Sequence, residues 1–136
     1  MKQFEIEVIT PSKQVYKGSI VSVTVPGTNG NFQVLYNHAP LLSSFEIGKV
    51  KIVEEEGSEG TVYATGGGTV EVLSNKVLLL AESLERYDEI DVKRAEAAAE
   101  RAKERLAKKK DESIDVARAE AALRRAVNRL KIVQMK

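Results

Sequence analysis

The segment Ile90-Asp91-Val92-Lys93-Arg94-Ala95-Glu96-Ala97-Ala98 returns as Ile114-Asp115-Val116-Ala117-Arg118-Ala119-Glu120-Ala121-Ala122, with only Lys93/Ala117 changed. A repeat this close demands two elements of one kind. Each copy opens on an aspartate placed to cap a helix, because its carboxylate accepts the free N–H groups of the first turn. Each then sets an arginine three residues on, within reach of that aspartate across one turn. Before the repeat the apolar residues alternate as in strands; after it they follow the period of helices. Two like helices joined by a short basic loop form an antiparallel hairpin.

The first part reads as strands. Phe4, Ile6 and Val8 alternate with Glu5 and Glu7, and Val15–Gly18 and Ile20–Val25 follow, the latter stopped by Pro26-Gly27. Thr28-Asn29-Gly30 is a turn, and Phe32–Leu35 resumes the sheet. Beyond the loop Tyr36-Asn37-His38-Ala39-Pro40, the neighbours Leu41 and Leu42 are either core or an exposed apolar contact tip. Val50–Val53, Thr61–Thr65, Val70–Leu73 and Val77–Ala81 are further strands, and Gly66-Gly67-Gly68 marks a bulge or a close backbone approach. The spacing predicts an N-terminal antiparallel β-sandwich of about ten short strands over 1–84, a polar linker over 85–90 and a C-terminal antiparallel two-helix hairpin over 91–136. The helices are predicted from about Val92 to Lys108 and from about Val116 to Val133.

The facing stripes of those helices are Val92, Ala95, Ala98, Ala99, Ala102 and Leu106 on one, and Val116, Ala119, Ala122, Leu123, Ala126, Val127 and Leu130 on the other. Most are alanine, which favours helix but buries only one methyl, ~0.8 kcal/mol against ~1.5–3 kcal/mol for leucine. The expectation is two robust helices with a weak seam, which a ligand or partner can bias between closed and open forms. A static hairpin is the competing reading.

Charge separates the same two parts. Residues 1–90 carry 7 Lys/Arg against 12 Asp/Glu, a balance of −5, whereas residues 91–136 carry 14 against 8, a balance of +6. With no cysteine and one histidine, a His/Cys metal cluster is unavailable, and no disulfide framework exists. No phosphate-loop, dinucleotide or nucleophile-elbow pattern is present, and His38 has no nominated catalytic partner. The chain is read as non-enzymatic. Neither a signal peptide nor an apolar run of membrane-spanning length occurs, so membrane association is expected only through partners.

The positive chemical signal is arginine. Arg94 and Arg101 are two turns apart on one face of the first helix, and Arg125 and Arg129 one turn apart on the second. Antiparallel folding sends these four towards Asp91, where guanidinium forks match phosphate oxygens and a carboxylate accepts from an exocyclic amine. Two readings stand: a nucleotide clasped by the closed hairpin, or a set of solvated arginines beside a helix cap.

Asn37-His38-Ala39-Pro40-Leu41-Leu42, then Gly67-Gly68-Thr69-Val70-Glu71-Val72, Val77–Glu82, Ile90-Asp91-x-x-Arg94-Ala95 and Leu123–Leu130 appear in the order found in a known family. The chain resembles, over essentially its whole length, the epsilon subunits of bacterial F-type ATP synthases. Thr69 departs from that pattern, which usually has an aromatic residue there. The resemblance implies a non-catalytic rotor subunit whose sandwich binds the gamma subunit and the c-ring, with His38, Leu41 and Leu42 towards the ring. It implies a helical hairpin that extends towards the catalytic alpha and beta subunits and inhibits ATP hydrolysis. It further implies ATP as a regulatory ligand of the folded hairpin, contacted by Glu85, Ile90, Asp91, Arg94, Arg101, Arg125 and Arg129. Affinity and any part for magnesium stay open. The implied location is peripheral, on the cytoplasmic face of the bacterial membrane. The rivals are a static assembly protein and a nucleic-acid binder; the scarcity of aromatics beside the basic residues speaks against single-strand stacking.

Overall fold

Runs of β-branched and alternating residues pair into one continuous sheet, described together with the helices by a computed structural model covering residues 2–108, 110–111 and 113–134. The strands are β1 (Phe4–Ile9), β2 (Gln14–Ile20), β3 (Ser22–Gly27), β4 (Gly30–Val34), β5 (Leu41–Val53), β6 (Thr61–Leu73), β7 (Lys76–Ala81) and β8 (Leu84–Arg86). A 3-10 turn, Tyr87–Glu89, leads to helices α1 (Val92–Ala107) and α2 (Val116–Gln134). The chain divides into two compact units between Arg86 and Tyr87. Residues 85–90, read from the sequence as a linker, hold the end of β8 and the 3-10 turn.

The sandwich has eight strands among the described residues rather than about ten, because β5 and β6 each run 13 residues where the sequence suggested shorter pieces. Strand order is β2-β1-β7-β6-β5-β3-β4, with β8 also on β6. All pairs are antiparallel except β1 with β7, which is parallel from Glu5↔Lys76 to Ile9↔Leu80. The sheet becomes two layers because β6 changes partner along its length. Gly68–Leu73 pairs with β7, whereas Tyr63–Thr65 pairs with β8. Between the layers Ile6, Val8, Val23, Val50, Val70 and Leu79 are buried. Each such side chain contributes about 1.5–3 kcal/mol of transfer free energy.

The changeover lies at Gly66–Gly68. Gly67 sits at φ 94°, a left-handed conformation that side-chain-bearing residues rarely adopt. Gly68 has ordinary backbone angles but no room: a methyl group there overlaps the Leu80 carbonyl oxygen and comes within 2.9 Å of Ala81 Cα. The bend is pinned by polar bonds. Gly66 N–H donates to Ser83 O (3.2 Å), Glu82 N–H donates to Gly67 O (2.8 Å), and the Thr65 hydroxyl donates to Ser83 O (3.0 Å). Thr69, the departure noted above, faces solvent opposite Leu80, so the core does not rest on it.

Tyr16 on edge strand β2 joins this packing. Its ring stands edge-on to Tyr63 at 6.5 Å and 76°. Burial, followed by a hydrogen bond to Glu54, pushes its phenol well above the usual tyrosine range.

Two measurements check this account. Gly68→Ala is expected to destabilise the sandwich by about 3 kcal/mol, lowering Tm by roughly 10–20 °C. Gly18→Ala meets nothing closer than 3.7 Å and should leave Tm unchanged or slightly raised. In an absorbance titration Tyr16 should stay un-ionised above the ordinary value near ~10. A raised folded pKa favours the neutral phenol, so its stabilising share is intact below ~pH 10 and lost as pH rises through the folded value. Tyr16→Phe should abolish that late-titrating signal.

Candidate functional site

The repeat folds as two helices capped in the same way. Asp91 precedes α1 in an extended conformation, and its Oδ1 accepts the Arg94 main-chain N–H at 3.0 Å. Asp115 does the same for Arg118 at 3.1 Å. The bond each aspartate makes is thus to the main-chain N–H of the arginine three residues on. Between the helices, Asp111 accepts from Ser113 N–H (2.9 Å) and Oγ (2.8 Å), which hold its carboxyl below the usual range. The 3-10 turn ahead of α1 packs on α2, as antiparallel return requires.

The seam is narrower than the sequence stripes. Ala95, Ala99 and Ala102 of α1 and Ala119 and Ala126 of α2 are buried, along with Ile132. Val92 and Val127, both assigned to the stripes, are exposed. Val92 is the first residue of α1. Val127 lies one residue past Ala126, about 100° around the helix from the buried line. Ala98, Leu106, Ala122, Leu123 and Leu130 are half-buried.

The arginines are placed by counting from the hairpin turn. Arg94 lies 13 residues before the end of α1, and Arg129 lies 13 residues after the start of α2. At ~1.5 Å per residue both stand about 20 Å from the turn, at one axial level. By the same count Arg101 is about 9 Å from it and Arg125 about 14 Å, within one helical turn of each other. Arg94 and Arg101 are exposed, whereas Arg125 and Arg129 are half-buried. Asp91 is exposed at the α1 cap, and Ile90 beside it is buried. Glu85 is half-buried on β8, in the first unit. Among the described residues no group of acidic, histidine or cysteine side chains is suited to hold a metal ion.

A second candidate surface lies on the sandwich. Leu41 is half-buried against the core, whereas Leu42 is 75% exposed. Strand alternation sends the two leucines to opposite faces, so one is core and the other is tip. Cross-strand partners share a face, which puts Leu42, Glu71, Leu78 and Glu7 in one outward row. Ser44, Thr69, Leu80 and Ile9 form the next. Leu73 and Leu80 on this face are also exposed. Sequence reading passed over both, although β7 offered a signal: Leu78 and Leu80 are apolar in the outward phase, out of step with inward Val77, Leu79 and Ala81. Neighbouring exposed apolar residues on an outer sheet face make it a candidate contact surface. His38 is half-buried in the loop before β5, with Nδ1 2.7 Å from Ala39 O, so that nitrogen carries the proton and donates.

Comparison with known proteins covers both units. Residues 3–87 match the family model of the ATP synthase delta/epsilon chain beta-sandwich domain, and residues 88–134 match its long alpha-helix domain. The ATP synthase epsilon chain of Pelotomaculum thermopropionicum is 50% identical over 108 residues, 79% of each chain. That of Carboxydothermus hydrogenoformans is 46% identical over 107 residues, 79% of this chain and 78% of its own. In a cryo-EM structure of the Euglena gracilis mitochondrial ATP synthase, containing OSCP, F1 and c-ring, one chain aligns with a TM-score of 0.80 over 100% of this chain and 83% of its own. At 19% identity that likeness speaks for the fold alone.

Removing either cap tests the local account. Asp91→Ala and Asp115→Ala should each lower helix stability by about 1 kcal/mol, read as an earlier loss of helical circular dichroism on heating. Equal losses are expected because the caps are equivalent.

Proposed function

The chain belongs to the delta/epsilon family of ATP synthase subunits, and we propose that it regulates its enzyme from the rotor through a latch made of α1 and α2. It is a non-catalytic ATP synthase epsilon subunit, and in the proposed reading it sits in the central stalk. In the proposed reading the sandwich seats on the gamma subunit and the c-ring, using the face of Leu42, Leu73 and Leu80 and the loop of His38. Leu41 supports that loop from the core side. The hairpin opens along gamma, reaches the catalytic alpha and beta subunits, and slows ATP hydrolysis. No described helix is long and apolar enough to cross a membrane, so these partners would hold the protein at the cytoplasmic face. A nucleic-acid role is not favoured by the family.

One observation carries the latch: of the six buried helix residues described, five are alanine and Ile132 is the one large side chain. Each helix keeps its own cap and its high propensity when the seam parts, so opening forfeits methyl contacts of about 0.8 kcal/mol each and the burial of Ile132, about 1.5–3 kcal/mol. ATP would oppose opening by binding the closed hairpin. The arginines, Arg94 level with Arg129 and Arg101 within one helical turn of Arg125, would take the phosphates. Ile90 and Asp91 would face the adenine. A ligand at ten times its Kd stabilises the bound state by about 1.4 kcal/mol.

ATP titration with thermal unfolding of the full chain tests the nucleotide part. A rise of a few degrees at millimolar ATP is expected. It should vanish in Asp91→Ala and Arg94→Ala but persist in Asp115→Ala, whose cap is equivalent and whose place is at the other end of the hairpin. Absence of any shift in the parent chain would remove ATP from the mechanism. The latch has its own test, since the chain holds no cysteine. Ala98→Cys with Ala126→Cys, oxidised across the seam, should change the hydrolysis rate of the assembled complex. An unchanged rate would make the hairpin static.

A further inference from the structure

The end of the sandwich that carries Leu42 and His38 is organised by one asparagine. The β6–β7 connection is a two-residue turn with Ser74 at φ 49° and Asn75 at φ 61°. Positive φ at both positions is type I′ geometry, and glycine is the favoured residue at the second. Asn75 occupies it here, and its amide is engaged. Its Oδ1 accepts the main-chain N–H of Asn37 at 2.7 Å, and its Nδ2 donates to Asn37 Oδ1 at 3.2 Å. Asn37 is itself left-handed, at φ 64°. The Asn75 carbonyl accepts Glu5 N–H at 3.1 Å, so the same residue also ties down the start of β1.

The second half of the arrangement is the loop being held. His38 N–H donates to Leu35 O at 3.2 Å and closes a turn with Asn37 inside it. The turn carries exposed Tyr36 and half-buried His38 and leads into β5, where Leu42 is the most exposed of the large apolar side chains described. The pair adds two neutral hydrogen bonds at exposed positions, each of modest net worth because water competes for the same groups. That is small beside a core of buried Ile, Val and Leu, so the pair is not what folds the sandwich. It suffices to select one loop conformation among several.

We propose that Asn75 and Asn37 form a positioning clasp, which fixes the 35–42 loop in advance in the shape that the partner subunits meet. This rests on reading that end of the sandwich as the surface towards gamma and the c-ring. Fixing the loop beforehand removes the cost of ordering its side chains from the association. Asn75 acts through the loop and touches no partner itself.

The test uses the full chain and an ATP synthase complex depleted of this subunit. Asn75→Gly suits the turn and deletes both amide bonds. Asn75→Asp tolerates the left-handed backbone, keeps the acceptor for Asn37 N–H and regains the second bond when the Asn37 amide flips. Leu42→Glu tests the surface itself. For Asn75→Gly the expected result is unchanged Tm, Asn37 amide exchange at least roughly tenfold faster, and rebinding weakened about tenfold, equivalent to ~1.4 kcal/mol. Asn75→Asp should restore both readouts, and Leu42→Glu should weaken rebinding. If Leu42→Glu weakens rebinding while Asn75→Gly does not, the clasp is overturned and the surface stands. If neither weakens it, the surface reading fails and takes the clasp with it. A large drop in Tm for Asn75→Gly, or no rescue by Asn75→Asp, overturns positioning in favour of a purely structural role.

Discussion

The sandwich depends on a backbone contact that only a missing side chain permits. At Gly68 strand β6 comes so close to Leu80 and Ala81 of β7 that a single methyl has no place. One residue earlier Gly67 takes a left-handed bend. Together they let β6 leave β8 and join β7 without ending, so one sheet wraps around its own core. The fold is then closed by ordinary means, with β-branched residues packed between layers and a tyrosine pair at the edge. The same wrapping brings the 35–40 loop, the start of β5 and the β6–β7 turn to one end of the unit. A surface made of three separated segments is therefore a consequence of the bend.

The hairpin uses close approach to the opposite effect. Where glycine locks two strands, alanine lets two helices touch with little to lose on parting. Each helix carries its own stability in an aspartate cap and a high proportion of alanine, glutamate, lysine and arginine. Burial of Ala95, Ala99, Ala102, Ala119 and Ala126 adds methyl contacts but no interlocking large side chains at those positions. The two units thus divide the labour of a rotor subunit. One is closed around a core of β-branched residues, and the other is, in the proposed reading, a latch whose two capped helices can part.

Charge follows that division. The acidic balance lies in the strand-rich part, and the basic balance lies in the helices. A basic helix pair with exposed Arg94 and Arg101 and half-buried Arg125 and Arg129 offers cations to any anion that reaches it. In the proposed reading ATP and an acidic protein segment compete for these guanidiniums, and a nucleotide level is thereby converted into a preference for one hairpin state.

The sequence by itself determined everything that is written in short-range bonds. Helix limits were predicted at Val92–Lys108 and Val116–Val133 and lie at Val92–Ala107 and Val116–Gln134, because an aspartate cap bonds a residue three places away and needs no distant partner. The sandwich and the order of its strands along the chain were legible for the same reason, through alternation and turn residues. Tertiary structure alone decided what depends on distant neighbours. It merged shorter predicted pieces into the 13-residue strands β5 and β6, since continuity of a strand is set by what pairs with it. It sent Leu41 to the core and Leu42 to solvent, and it turned Val92 and Val127 out of the seam. It joined Asn75 to Asn37 across 38 residues, which no local pattern announces. Local hydrogen bonds and periodicity are properties of a stretch of chain, whereas burial and register belong to the assembled molecule.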